Sequence, residues 1–315
     1  MPYTFILNPA AAHGRAGRLH GRLHELAERL GVAHEVKLTT HPGHATTLAR
    51  EAAQPGQRVV AVGGDGTIQE VAAGLAGTRA VLGVVPIGTG NDFARSLGLP
   101  TKLDEAARML PVLQPRATDL GRIAWTNDDG TEHERSFVNA VGIGFDARVA
   151  VLAEGYKQFP GQAAYLAGVF KGLRSWTNPR VHITTATHAT VPAGADEDVP
   201  ADPSWFDGPI FLLAIGNGWS VGGGFRLTPE AQPDDGHLDL CLLRGITAGR
   251  ALQLLPRAMR GKHTTAEEVA LDRVASVTLD SESPLPVHAD GEILTTRALR
   301  LTTTIEPGAL SVLRP

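Results

Sequence analysis

Two glycine turns and one acidic hairpin carry the residues that could do chemistry. Asp65 lies in Val62-Gly63-Gly64-Asp65-Gly66-Thr67, after the apolar run Arg58-Val59-Val60-Ala61 and before Ile68-Gln69-Glu70-Val71. This order predicts a buried strand, a tight turn and a helix start. Three glycines let backbone N–H groups approach a ligand without Cβ obstruction, and a helix N-terminus favours negative charge, so the turn suits a phosphate. A carboxylate beside phosphates is tolerable when Mg²⁺ or its waters lie between, or when the acid faces a hydroxyl. The plainer alternative is that Asp65 or Thr67 caps the helix. A second loop, Gly88-Thr89-Gly90-Asn91-Asp92-Phe93, follows the apolar run Ala80–Val85 and repeats the pattern.

Asp65, Asp92 and Asp119 each end or follow a strand-like run, and both spacings are 27 residues. That is close to the ~30 residues of one βαβ unit, so successive units can bring the three carboxylates to one rim and hold a hydrated Mg²⁺. Helix and loop capping by Asp92 and Asp119 is the alternative. Near the C-terminus, Asp290-Gly291-Glu292 sets two acids across a glycine, where one could take a proton from a substrate hydroxyl while the other is oriented by hydrogen bonds. An Asp-Gly hairpin explains the same residues without chemistry. Gln232-Pro233-Asp234-Asp235-Gly236-His237 is a turn in which Asp235 and backbone carbonyls could hold a hard cation.

The elements that must position these residues fall into two textures. Tyr3–Leu7, His34–Leu38, Arg58–Val62 and Ala80–Val85 read as strands, and Leu19, Leu23, Leu26 and Leu30, then His44–Ala53 and Ile68 to about Ala76, read as helices. Alternation of this kind predicts parallel strands with helices on both faces, and ligands collect at the carboxyl ends of such strands. After Arg122 strand-like pieces dominate: Ile123–Trp125, Ser136–Val141, Arg180–Thr185, Ile210–Ile215, Leu238–Leu243, Val274–Leu279 and Leu299–Ile305. Helix candidates Gln162–Arg174 and Ala248–Met259 interrupt them, and Val191–Trp205 reads as a loop. The fold class expected is therefore a doubly wound α/β domain followed by an antiparallel β-sandwich domain.

Length and composition exclude several classes. The chain has 315 residues, enough for two cores, and a net charge of −4, which gives no support for nucleic-acid binding. No run approaches the roughly 18 apolar residues of a membrane span, and the N-terminus does not read as a signal peptide. The single cysteine, Cys241, lies in an apolar run and reads as a buried thiol in a reducing cytosol. No Walker lysine motif or zinc spacing occurs. Gly142-Ile143-Gly144-Phe145-Asp146-Ala147 matches a dinucleotide fingerprint, but in a β-rich context that does not support one.

Taken in order, Asn8-Pro9, Gly63–Thr67, Gly88–Phe93, Asn139–Ala147, Gly216–Gly224, Asp235-Gly236 and Asp290-Gly291-Glu292 resemble the diacylglycerol kinase catalytic-domain family, the soluble bacterial lipid kinases related to sphingosine and ceramide kinases. The resemblance implies ATP on the N-terminal domain, lipid on the second, and the active site in the cleft between them. The last strands then return to the first domain, giving 1–122 plus about 297–315 and 123–296. It further implies nucleotide contacts from Asn8, Pro9, Thr39, Gly63, Gly64, Asp65, Gly66, Thr67, Thr89 and Asn91. Asp65, Asp92 and Asp119 become the catalytic Mg²⁺ network, Glu292 the general base with Asp290 beside it, and Gln232, Asp235 and His237 a structural Mg²⁺ site. Where many relatives carry Ser-Gly after the proline, this chain has Ala10-Ala11-Ala12.

The acceptor implied is diacylglycerol or a related lipid, as in phospholipid biosynthesis, met by a cytoplasmic protein in transient contact with the membrane. A homodimer is left open. Tyr156, Phe159, Tyr165, Phe170 and Trp176 with Lys157, Lys171 and Arg174 could make that contact; a helix packed on the second domain is the favoured reading of the same segment. The rivals are an NAD kinase-like small-molecule kinase, which shares the Gly-Gly-Asp-Gly-Thr turn, and a non-catalytic nucleotide-binding module.

Overall fold

The computed structural model describes residues 2–11, 19–153, 155, 162–186 and 204–315. It divides into two compact units, Met1–Leu120 with Pro307–Pro315, and Gly121–Glu306. Among the described residues no helix is long and apolar enough to cross a membrane.

The first unit alternates β1 (Tyr3–Leu7), α1 (Leu19–Arg29), β2 (His34–Leu38), α2 (His44–Ala52), β3 (Arg58–Gly63), α3 (Asp65–Leu75) and β4 (Val81–Pro86), followed by the short α4 (Asp92–Ser96) and α5 (Leu103–Met109). The strands lie in the order β2-β1-β3-β4, all parallel. Ser311 and Val312, near the end of the chain, add a further parallel strand beside β4. β1 and β4 are buried along their full length and β3 from Val59 on, which is why they read as near-continuous apolar runs. Small residues let α2 and α3 meet closely: a Cβ on Gly74 would come within 2.5 Å of the Thr46 carbonyl. The Glu70 carboxylate accepts the N–H groups of Gly43 (2.9 Å) and Ala45 (3.1 Å), tying the start of α2 to α3.

The second unit is an antiparallel β structure. Its strands are the later part of β5 (Gln114–Asn127), β6 (Glu132–Phe137), β7 (Ala140–Gly144), β8 (Arg180–Ala186), β9 (Ser204–Gly216), β10 (Leu238–Arg244), β11 (Val269–Val274), β12 (Ser276–Ala289) and the earlier part of β13 (Glu292–Arg314). Helices α6 (Phe145–Ala153), α7 (Gln162–Leu173) and α8 (Ala248–Ala258) interrupt them. β9 and β12 each pair with β8 in their first half and with β7 in their second, and β9 continues the sheet through β10 to β11. One core holds Val141, Ile143, Leu213, Ile215, Leu240 and Val287. The other face of the same central strands packs Phe211, Leu212, Ala214 and Cys241 against the helices.

The two-texture architecture expected from the sequence is the one observed, with local corrections. Ser136–Val141, expected as one strand, is split between β6 and β7, because the N–H groups of Val138, Asn139 and Ala140 turn to the Asp290 carboxylate. Val274–Leu279 divides at Ala275, whose N–H bonds the Ala186 carbonyl. β5 and β9 run well beyond the apolar cores Ile123–Trp125 and Ile210–Ile215. Helix α6 follows the Gly142–Gly144 run directly, where β texture had hidden it. Tyr156, Lys157, Phe159, the Tyr165 side chain and most of the Val191–Trp205 segment lie outside the described residues.

Candidate active site

In the first unit the two glycine turns sit at the carboxyl ends of the adjacent strands β3 and β4, where Gly63 pairs with Pro86. Both turns need the absence of a side chain. A Cβ on Gly63 would lie 2.4 Å from Thr67, and one on Gly88 would lie 2.8 Å from the Gly64 Cα, so the two loops touch backbone to backbone. Gly64 is the N-cap of α3 and offers no side-chain cap at the start of this eleven-residue helix, an end that favours an anion.

Asp65 does not cap its own helix. Its carboxylate accepts from the N–H groups of Asn91 and Asp92 (both 2.8 Å) and Phe93 (3.5 Å), so it caps α4 and fastens the second loop to the first. Gly90 lies between the Asp65 and Asp92 carboxylates: a Cβ there would be 2.9 Å from Asp65 Oδ2 and 3.1 Å from Asp92 Oδ2. Asn91 takes a left-handed conformation (φ 53°) and donates its amide N–H to the Gly88 carbonyl at 3.0 Å. Its buried Oδ1 has no hydrogen-bond partner among the described residues.

Asn8 joins this group. Its Nδ2 donates to Thr67 Oγ1 at 3.1 Å and its Oδ1 accepts from Ala10 N at 3.0 Å, holding the loop after β1 against α3. Thr39 is anchored beside it through its N–H to the Leu7 carbonyl (3.0 Å), whereas Thr89 is exposed. Thr39, Thr67 and Asn91 are buried. Asp119 is buried too, and its Oδ1 accepts from Gly308 N at 2.7 Å, which ties the returning C-terminal segment to this unit. Among the described residues no three Asp, Glu, His or Cys side chains gather as a metal cage. Mg²⁺ bound here would keep waters and take its other oxygens from phosphates, as that ion usually does.

In the second unit Asp290 and Gly291 form a two-residue turn with positive φ at both positions (50° and 82°), the geometry an Asp-Gly pair favours in a hairpin. The Asp290 carboxylate accepts three N–H groups, from Val138 (2.9 Å), Asn139 (2.9 Å) and Ala140 (3.0 Å). Burial pushes its carboxyl up to about 6, against the opposing pull of these donors and of Arg135. Asn217 donates to the Val138 carbonyl (2.7 Å) and Asn139 to the Ser220 carbonyl (2.6 Å), bracing the same break in the strand. Glu292 is different: partly exposed, it pairs with the Arg135 guanidinium.

The Asp235 turn is closed on itself. Asp235 Oδ1 accepts from His237 N (3.0 Å), the His237 ring bonds the Asp235 carbonyl (2.7 Å), and Arg273 lies 3.0 Å from Oδ2. Arg273 stands directly across from Asp239 in the β10–β11 register. Burial pushes the Asp239 carboxyl up to about 6, with Arg273 pulling it down and Asp235 and Glu230 pushing it further up. Arg273 thus lies within 4 Å of both Asp235 and Asp239, beside the turn in which the sequence reading set a cation.

Beneath α6, α7 and α8 the second unit holds an apolar cavity whose room for the centres of water-sized spheres is about 70 Å³. Phe145, Val169, Phe211, Leu254 and Leu255 line it. Phe211 is the extra residue where the β9–β10 register slips between Leu243 and Arg244, so Phe211 and Leu212 both serve the cavity wall. Trp176 packs on Phe145 (5.7 Å) and Phe211 (6.4 Å), and Phe170 is exposed. Among the described residues the cavity has three side chains other than hydrocarbon: Asp146, Cys241 and His263. Asp146 forms a buried pair with His288 Nε2 at 2.8 Å. Gly142 makes the room for that pair, since a Cβ there would lie 2.2 Å from both partners. The fingerprint glycine is thus explained by packing, and β7 runs antiparallel to both neighbours instead of in a βαβ unit.

Arg135, His263, His288 and Arg273 escaped the sequence reading, which met Asp146 only within the Gly142–Ala147 run. Each pairs with a group distant in the chain. The family model of the diacylglycerol kinase catalytic domain matches residues 2–123, and that of the YegS C-terminal NAD kinase beta sandwich-like domain matches 139–314. A Chromohalobacter salexigens protein named "Probable lipid kinase YegS-like" is 34% identical over 302 residues, 94% of this chain and 87% of its own. The "Diacylglycerol kinase" of Mycobacterium tuberculosis H37Rv is 32% identical over 315 residues, 99% of this chain and 94% of its own. A crystal structure of a diacylglycerol kinase from Bacillus anthracis Sterne has the same fold, with a TM-score of 0.69 at 19% identity over 100% of this chain and 97% of that one.

Proposed function

We propose, on the premise that the chain belongs to the diacylglycerol kinase catalytic-domain family of lipid kinases, that it transfers the γ-phosphoryl group of ATP to a hydroxyl of diacylglycerol or a related lipid. The observation that carries the reading is the Asp65 clamp, which makes two glycine turns one rigid, amide-lined ledge at the ends of parallel strands. Phosphoryl transfer asks mainly for positioning and charge neutralisation, and preorganised amides supply both without a Walker lysine. Asn8, Pro9, Thr39, Gly63–Thr67, Thr89 and Asn91 are the nucleotide contacts in this reading. The orphaned Asn91 Oδ1 and the α3 N-terminus are the features that fit a bound nucleotide. Asp65, Asp92 and Asp119 would hold Mg²⁺ through its waters, and the ion would neutralise the phosphate charge.

A lipid alcohol is a weak nucleophile near neutral pH, so a base must receive its proton. Glu292 is assigned that role, being the carboxylate of the hairpin whose partner is a side chain, Arg135, while Asp290 is taken up by three backbone donors. The new bond joins the lipid oxygen to the γ-phosphorus, the bond from that phosphorus to the bridging oxygen breaks, the proton passes to Glu292, and ADP leaves. The apolar cavity supports a lipid acceptor over a dinucleotide, which would need polar adenine and ribose contacts. Exposed Phe170 with Lys171 and Arg174 gives a cytoplasmic enzyme a face for transient membrane contact. The test is phosphate transfer from labelled ATP to a cellular lipid extract, with and without Mg²⁺, NAD alongside and Asp65→Ala as blank. An organic-phase product that needs Mg²⁺ and Asp65 supports the reading, and label on NAD alone overturns it.

A further inference from the structure

The turn that closes α1 sets two histidines face to face. Gly31 takes a left-handed conformation (φ 65°), the N–H of Val32 returns to the Ala27 carbonyl and that of Gly31 to the Glu28 carbonyl, the pattern of a helix ended by glycine. The chain therefore enters β2 at once, and His34, its first residue, meets His24 on α1. His34 Nε2 lies 2.6 Å from His24 Nδ1, with the rings at 63° and their centroids 4.6 Å apart. The other nitrogens are engaged as well. His34 Nδ1 lies 3.0 Å from the Val32 carbonyl, and His24 Nε2 lies 3.3 Å from Oε1 of Glu28, one turn further along the helix.

These outer contacts decide where the protons sit. A carbonyl oxygen only accepts, so His34 carries its proton on Nδ1 and its lone pair on Nε2. The Glu28 carboxylate likewise draws the His24 proton to Nε2 and leaves the lone pair on Nδ1. Two lone pairs then face each other across 2.6 Å, and the pair is one cation short. A proton can supply it, making one ring an imidazolium. A metal ion of the kind that suits imidazole can supply it too, and outer N–H groups held by a carbonyl and a carboxylate are the usual support of a metal-bound histidine. Tetrahedral zinc, with bonds of about 2.0–2.1 Å, holds its nitrogens about 3.3 Å apart, so the pair has to open by about 0.7 Å. His24 and Glu28 are exposed side chains that can make this adjustment, while His34 is half-buried with its ring edge-on to Phe5.

We propose that His24 and His34 form a two-histidine site for a divalent transition metal of the zinc type, completed by waters, which clips α1 to the edge strand β2. His34 begins β2, so the site lies at the opposite end of the parallel strands from the glycine turns, and it goes beyond the kinase reading without depending on it. The experiment titrates tag-free protein with Zn²⁺ by calorimetry, in excess Mg²⁺ to fill oxygen sites. Wild type should bind one Zn²⁺ in the micromolar range, more weakly as pH falls because protons compete for both nitrogens. His24→Gln should abolish this binding, and Glu28→Gln, which removes only the support, should weaken it about tenfold. Zn²⁺ should also raise the urea midpoint of wild type and leave that of His24→Gln where it was, and His34→Gln repeats the comparison from the strand side. NMR of nitrogen-15 histidine should show His24 Nδ1 and His34 Nε2 moving together as Zn²⁺ is added. Absence of Zn²⁺ binding, binding that His24→Gln leaves unchanged, or resonances of this pair indifferent to Zn²⁺ overturns the assignment and leaves a proton as the shared cation.

Discussion

Asp65 and Asp290 are the same device built twice. Each is an acid beside a glycine, and each carboxylate gathers the backbone N–H groups of three consecutive residues from another loop: Asn91, Asp92 and Phe93 for the first, Val138, Asn139 and Ala140 for the second. What differs is what stands beside the clamp. Asp65 is partly exposed and stands at the start of α3, so its clamp draws the second loop to a helix N-terminus that Gly64 does not cap. Asp290 is partly exposed as well, and its clamp stands two residues before Glu292, whose carboxylate pairs with Arg135. In the function proposed above, one acid would prepare a surface for phosphate and the other would steady a base, so equal hydrogen bonding would serve two different ends.

If that division holds, replacing the base should cost more than loosening either clamp. Glu292→Gln is expected to lower kcat by about a thousandfold, within the range for a lost general base, with ATP binding unchanged by calorimetry. Near wild-type transfer by this variant would remove Glu292 from the chemistry. Asp65→Asn keeps one accepting oxygen but turns an amide N–H toward backbone donors. Misplacing the second glycine loop should then reduce kcat about a hundredfold and weaken ATP binding as well. Loss of transfer with intact ATP affinity would mean that Asp65 acts on the metal or the phosphoryl group and not through the loop.

The Asp290 clamp should report through stability and its pH dependence. A folded-state carboxyl held at about 6, above the usual value near 4 for the unfolded chain, keeps its proton in the native state where the unfolded chain has already lost it. Stability contributed by this group is therefore complete below about pH 4 and falls as pH rises through about 6. Between those limits wild type should lose roughly 3 kcal/mol relative to Asp290→Asn. Urea titrations of both proteins at pH 4 and pH 7 measure the difference. A gap that does not change with pH would show that the three backbone donors hold the carboxylate ionised throughout.

The two clamps also show how far the sequence could be read. Turns, strands and the alternation of α3 with its neighbours are local properties of composition and period, and Arg58–Gly63 and Asp65–Leu75 followed from them. That Asp65 would cap α4 instead of α3 was not legible, because a helix that begins 27 residues later is not visible from its partner. The same holds for Ser136–Val141, whose apolar pattern conceals a break imposed by an acid some 150 residues away. Family order supplied Glu292 and the nucleotide loop as candidates. It gave no hint of Arg135, Arg273, Asp146–His288 or His263, whose meaning lies in partners brought close only by strand register.

The smallest effect expected distinguishes a tether from a catalyst. Arg135 pairs with Glu292, and its charge also pulls down the neighbouring Asp290 carboxyl. Both members of the pair are partly exposed, with side chains 30% and 43% accessible, so the pair is screened and worth under about 1 kcal/mol. If Glu292 is the base, this contact has to yield before it takes a proton from a lipid hydroxyl. Arg135→Gln should therefore change kcat by no more than about fivefold, with added salt narrowing the gap from wild type because it screens the intact pair. A loss of a hundredfold or more, insensitive to salt, would put the guanidinium on the transferring phosphoryl group itself. Arg135 would then belong with the glycine ledge in function, and the simple division between a clamp for phosphate and a clamp for the base would fail at the hairpin.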